Sequence, residues 1–82
     1  MHEVGIANSI LEAVRTEVAA HAPERATKVG VKIGAMAGVE ASSLSVCFEV
    51  LVKGSDLEPL ELEIQPGTED ELAFAYLELE EP

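Results

Sequence analysis

The sequence predicts a two-layer α/β fold of the α+β kind, in the order α-β-α-β-β, with two helices packed on one face of a three-stranded sheet. Three observations lead there. Apolar residues recur at helical spacing in two segments. Strict alternation of apolar and polar residues marks two further segments as half-buried strands. Glycine and proline clusters separate these stretches, and two amphipathic helices over one sheet face is the simplest arrangement that buries all the stripes.

The first helix is expected over residues 6–21. Ile6, Ile10, Leu11, Val14 and Val18 follow steps of one helical face, with Glu12, Arg15 and Glu17 on the other. Pro23 closes it, because the residue before a proline is pushed out of the α region. Residues 27–33 then alternate, Val29, Val31 and Ile33 against Lys28, Gly30 and Lys32, as a strand does. The loop from Gly34 to Gly38 breaks that pattern. A second helix is expected over roughly 40–53, where Leu44, Cys47, Phe48 and Leu51 lie at i, i+3, i+4 and i+7, and Lys53-Gly54 is a suitable stop. Leu60 to Ile64 reads as a second strand with glutamates outward. Pro66 to Asp70 is turn chemistry, and Leu72 to Glu80 a third strand, so the last two strands are expected to form a hairpin. The third strand changes phase: Leu72, Phe74 and Tyr76 share one face, Leu77 and Leu79 the other. A bulge, or burial on both faces, would accommodate that.

Five Lys and Arg against sixteen Asp and Glu give a formal net charge of −11. That excludes nucleic acid and anionic membrane surfaces as expected partners, since phosphate binding needs basic groups that displace counterions. A basic protein patch or a cation fits better. No charge-free apolar run approaches the ~18 residues of a membrane span. The start lacks a basic region followed by an apolar core, so no secretory signal is expected. A lone cysteine, Cys47, forms neither an internal disulfide nor a CxxC zinc knuckle, and the expected compartment is the reducing cytoplasm. The chain is read as one domain, 1–82.

Catalytic signatures are missing: there is no nucleophile elbow, phosphate-cradling loop or triad set, so no enzyme is expected. The residue of interest is His2. The Met1 amine, the His2 backbone nitrogen and the His2 imidazole close adjacent chelate rings about one ion, and the Glu3 amide supplies a fourth nitrogen. An all-nitrogen planar set suits Ni(II) or Cu(II) rather than Mg or Ca. A second-position histidine is also, more commonly, a solvated terminal side chain, and spacing alone favours that reading. His21 belongs to the end of the first helix, where a cation meets the helix dipole favourably. Cys47 lies on an apolar helix face and reads as a small hydrophobe. Met36 and Ala37 are open to either partner contact or loop packing. The glutamates from 58 onward, with Asp56 and Asp70, read as an acidic outer surface of the hairpin, solvated or used to dock a basic partner.

Taken in order, these residues resemble the hydrogenase and urease nickel-incorporation family (HypA/HybF-like). The carrying pieces are Met1-His2-Glu3, Ile6-Ala7, Ser9 to Glu12, Lys28 to Gly34, Gly38-Val39, Phe48 to Leu51, Lys53-Gly54, Leu57-Glu58, Leu62 to Ile64, Asp70 to Leu72 and Leu77 to Glu81. The resemblance implies a nickel metallochaperone that holds Ni(II) weakly and transferably at Met1, His2 and Glu3. Glu40 matches a further acidic position implicated in some members. It also implies a GTPase nickel-insertion partner, a hydrogenase large subunit or the urease route as recipient, and a first helix that meets the partner; a monomer or homodimer is expected. Family members carry a zinc domain with two CxxC pairs between their last two strands. Here Pro66 to Asp70 closes that gap, so no zinc is expected. The alternative is a metal-independent interaction module that kept the fold without the delivery role.

Overall fold

The computed structural model describes residues 2–82. Its elements run α1 (Glu3–Ala20), β1 (Arg25–Ile33), α2 (Ala41–Val52), β2 (Glu61–Pro66) and β3 (Leu72–Glu80). The expected order and both helices are found, and α1 begins three residues earlier than its apolar stripe. Glu3 opens it, an acidic residue in the first turn where the helix dipole favours one.

The expected hairpin is not formed. The strand order is β2-β1-β3, so β1 lies between the other two. It pairs parallel with β2 and antiparallel with β3. The physical reason lies in α2: a parallel pair needs a long crossover, and the helix between β1 and β2 supplies it. The short link from β2 to β3 then passes over the end of β1, a span of two inter-strand spacings, roughly 10 Å. Five residues reach that far comfortably. Backbone bonds fasten the link to β1's end: Gly67 N–H donates to the Ile33 carbonyl (3.0 Å), Gly34 N–H to Glu71 (2.8 Å) and Met36 N–H to Glu69 (2.8 Å). The approach is so close that a Cβ on Gly34 would meet the Glu69 carbonyl oxygen at 2.1 Å.

Register settles which side chains share a face. Leu62, Val29 and Leu77 form one row across the sheet, and Ile64, Val31 and Phe74 the next; both rows face the helices, with Phe74 left exposed at the β3 edge. The opposite face carries the rows Glu61–Lys28–Glu78 and Glu63–Gly30–Tyr76. Of the two ways to accommodate the phase change in β3, the structure takes the bulge. Gly30 pairs with Tyr76 and Val31 with Phe74, leaving Ala75 as the extra residue. Leu72, Phe74, Leu77 and Leu79 thereby share the helix side, with Leu72 and Phe74 still exposed at the edge, and Tyr76 faces the other way. The acidic surface is accordingly not one hairpin face. Glu61 and Glu63 are separated from Glu78 by β1, whose Lys28 stands between opposite charges.

The core fills the space between the layers. Ala7, Leu11 and Val14 of α1 meet Val29 and Val31 of β1 and Leu44 and Phe48 of α2. Phe48 is the largest fully buried side chain, and burying it contributes about 1.5–3 kcal/mol. Cys47 is half-buried and packs against this cluster, as its apolar helix face suggested.

Candidate metal centre

Of the four sequence-selected residues, Met1 falls outside the described residues. His2 is exposed and forms the N-cap of α1 with φ −106° and ψ 33°, and its side chain makes no capping hydrogen bond. Its carbonyl accepts the first helical bond, from Ile6 N–H at 2.9 Å. The backbone nitrogens of residues 2 and 3 therefore precede the helical ladder, which removes no bond from the helix if an ion takes them. Beside His2 lies a shallow apolar groove between α1 and β3, lined by Ile6, Ile10, Leu72 and Phe74.

Glu3 behaves differently from its neighbour. It is 6% exposed, and it is the buried charged residue of the described chain. Its Oε2 accepts from the Glu40 N–H at 3.0 Å, joining the start of α1 to the start of α2 across 37 positions of sequence. Hydrogen bonding, from the terminal amino group first and the Glu40 N–H second, holds the Glu3 carboxyl down to about 2. The group is ionised at neutral pH, as a buried carboxylate must be paired to be.

Glu40 is the N-cap of α2. Its Oε1 accepts from Ser42 Oγ (2.6 Å), Ser43 N–H (2.9 Å) and Ser43 Oγ (3.1 Å). These bonds, the Ser42 hydroxyl foremost, lower its carboxyl below the usual carboxylate range. The fold thus brings Glu3 and Glu40 together, but through a backbone donor of Glu40 and not its side chain. No sequence signal marked this contact, because helical periodicity starts at Ile6 and a glutamate is an uncommon cap. His21 sits at the other end of α1, its Nδ1 2.8 Å from the Glu17 carbonyl, which satisfies one of the helix's last carbonyls.

Among the described residues no group of three or more His, Cys, Asp or Glu side chains is placed to hold an ion. Among the described residues, this end offers the His2 imidazole and main-chain nitrogens beside the hydrogen-bonded carboxylates of Glu3 and Glu40. Such a set selects by geometry, favouring ions that accept planar nitrogen coordination.

A two-layer α+β domain with an exposed histidine at the start of its first helix defines the class, and comparisons with known proteins give it a family. The family model described as "Hydrogenase/urease nickel incorporation, metallochaperone, hypA" matches residues 1–70, and the chain belongs to this family. It is similar to the hydrogenase maturation factor HypA of Psychromonas ingrahamii, 41% identical over 73 residues, covering 89% of this chain and 60% of that one. HypA of Escherichia coli K12 is 38% identical over 65 residues, 79% of this chain and 56% of its own length. HypA of Azotobacter chroococcum is 42% identical over 64 residues, 78% of this chain and 57% of its own. The chain therefore spans under two thirds of the length of the curated relatives it matches. The solution structure of the Ni metallochaperone HypA from Helicobacter pylori shares the fold, with a TM-score of 0.73 at 20% identity. That match covers 82% of this chain and 58% of the other.

Proposed function

We propose that the chain carries Ni(II) at Met1, His2 and Glu3 and delivers it during maturation of a [NiFe]-hydrogenase or of urease. The observation that carries this reading is the family match, which begins at residue 1 and so includes the donor residues themselves. The exposure of His2 and the position of its amide ahead of the helical ladder support it. An ion held there is at the surface, where a recipient's ligands can reach it, which suits weak and transferable binding.

In this reading the chain is a carrier in the cytoplasm and not a catalyst. The Glu3 carboxylate, fixed by the Glu40 N–H, leaves the Glu3 main chain as its contribution to the ion. Glu40 acts chiefly by holding Glu3 and α2 in place, and only its Oε2 is left to approach the ion. A GTPase hands the nickel onward to the hydrogenase large subunit. The zinc-binding excursion implied by the family resemblance is replaced by the turn at 66–70, so the nickel-binding unit stands as one domain.

The test is a calorimetric Ni(II) titration of protein with a free Met1 amine, run beside His2→Ala. One-to-one binding that weakens more than about tenfold in the variant is the expected result. His2 caps nothing with its side chain, so thermal unfolding should be unchanged. Equal nickel affinity in both proteins would place the ion elsewhere.

A further inference from the structure

A second groove lies at the opposite edge of the sheet from His2. It encloses about 760 Å³ between α2 and β2 and continues to the segment before β2. Val46 and Val50 on α2 stand 58% and 68% exposed along it, and Leu62 of β2 is half-buried at its floor. Glu49, Glu58 and Glu61 line it against a single cation, Lys53.

β2 is an edge strand, paired with β1 on one side only. The Gly67 N–H just beyond it donates to the Ile33 carbonyl, so alternation along the strand turns the backbone groups of Leu62 and Ile64 toward the open edge. Unpaired strand groups beside an apolar wall are a template for an added strand.

The cross-strand rows specify what that strand carries. On the helix side, the rows Leu62–Val29–Leu77 and Ile64–Val31–Phe74 extend toward the edge, and the next position faces Val46 and Val50. It calls for an apolar side chain. On the open side, the row Glu61–Lys28–Glu78 alternates in charge, and the position beyond Glu61 calls for a cation.

We propose that the α2–β2 groove binds an extended partner segment of alternating apolar and basic residues, added to β2 as a fourth strand. A second copy of this chain is the wrong occupant, because it would set Glu49 and Glu61 against glutamates in a molecule of net charge −11. The surface stands independently of the nickel reading. It lies at the far edge from His2, so a partner held there leaves the amino-terminal end open.

The experiment follows backbone amide shifts of the full chain by NMR while a Lys-Val alternating octapeptide is added. Two controls accompany it, a peptide of equal charge with proline at alternate positions and a Glu-Val octapeptide. The expected result is saturable binding of Lys-Val alone, with shifts concentrated over residues 45–53 and 60–66. Val50→Lys and Glu61→Gln, both at exposed positions, should each weaken it about tenfold while thermal unfolding shows the fold retained. Absence of saturation, equal binding of the proline peptide, or shifts confined to the α1–β3 groove would overturn the proposal. Dimerisation of the chain through β2 would overturn it as well.

Discussion

Tyr76 shows how much a single side chain organises on the open face. Its ring covers Gly30 so closely that a Cβ there would lie 2.1 Å from Cε2, and its hydroxyl donates to the Glu63 carboxylate across β1. Gly30→Ala should therefore destabilise the fold by about 1–3 kcal/mol through overpacking. In a Tyr76→Ala background the clash is gone, and the smaller gain of ~0.4–1 kcal/mol from a stiffer unfolded chain should emerge. Chemical unfolding of the four proteins in the cycle measures both. The hydrogen bond to Glu63 raises the Tyr76 hydroxyl to about 12, and the Tyr76 hydroxyl in turn lowers the Glu63 carboxyl. Tyrosine's folded value exceeds its unfolded value near 10, so its contribution to stability is complete below about pH 10 and lost as pH rises toward 12. Glu63 has the opposite sign: its contribution is present above the unfolded value of about 4.3 and lost as pH falls. With one tyrosine and no tryptophan in the chain, ultraviolet absorbance reads the titration without overlap. A midpoint near 12 that moves toward 10 in Glu63→Gln is expected. Sequence alone grouped Tyr76 with Leu72 and Phe74, since an alternating pattern gives no sign of which residue a bulge will skip.

At the scale of elements, periodicity located both helices and all three strands, and it failed where an element depends on distant partners. The hairpin expectation treated β2 and β3 as neighbours because they are adjacent in sequence. Pairing was decided instead by α2, which carries the chain over to place β2 parallel to β1. The start of α1 was missed for a related reason: Glu3 is polar, and its burial follows from the Glu40 N–H, 37 residues away. Of the candidate site, then, the donor types at the terminus were legible, whereas the tie between the two helix starts was not. That tie separates two roles for Glu40. Glu40→Ser keeps a capping side chain for α2 and leaves the backbone donor to Glu3 intact. Helical content by circular dichroism and the thermal midpoint should change little, and nickel affinity by less than about threefold, against more than tenfold for His2→Ala. A loss in Glu40→Ser as large as in His2→Ala would assign the carboxylate directly to the ion.

For the whole molecule, one face of the sheet is covered by the helices and the other carries the charged rows. Sixteen carboxylates against five cations give a self-repelling surface, and only some acids find partners, as Asp56 does with Arg15 at 2.9 Å. Screening should relieve more repulsion than it weakens attraction, so raising salt from low ionic strength toward ~0.5 M is expected to raise the thermal midpoint. A midpoint that falls with salt would show that the ion pairs dominate. The acidic character was plain in the composition; its division into two rims on either side of Lys28 needed the strand order. The central claim concerns the amino terminus, and the proton count on nickel binding tests it most directly. Coordination through the main-chain nitrogens of His2 and Glu3 strips a proton from each amide, so about two protons per ion should leave, beyond any from the amino group. Calorimetry in two buffers of different ionisation enthalpy measures this number. Release of about two or more, lost in His2→Ala, is the expected result; release of less than about one would mean that carboxylates hold the ion and would contradict the assigned site.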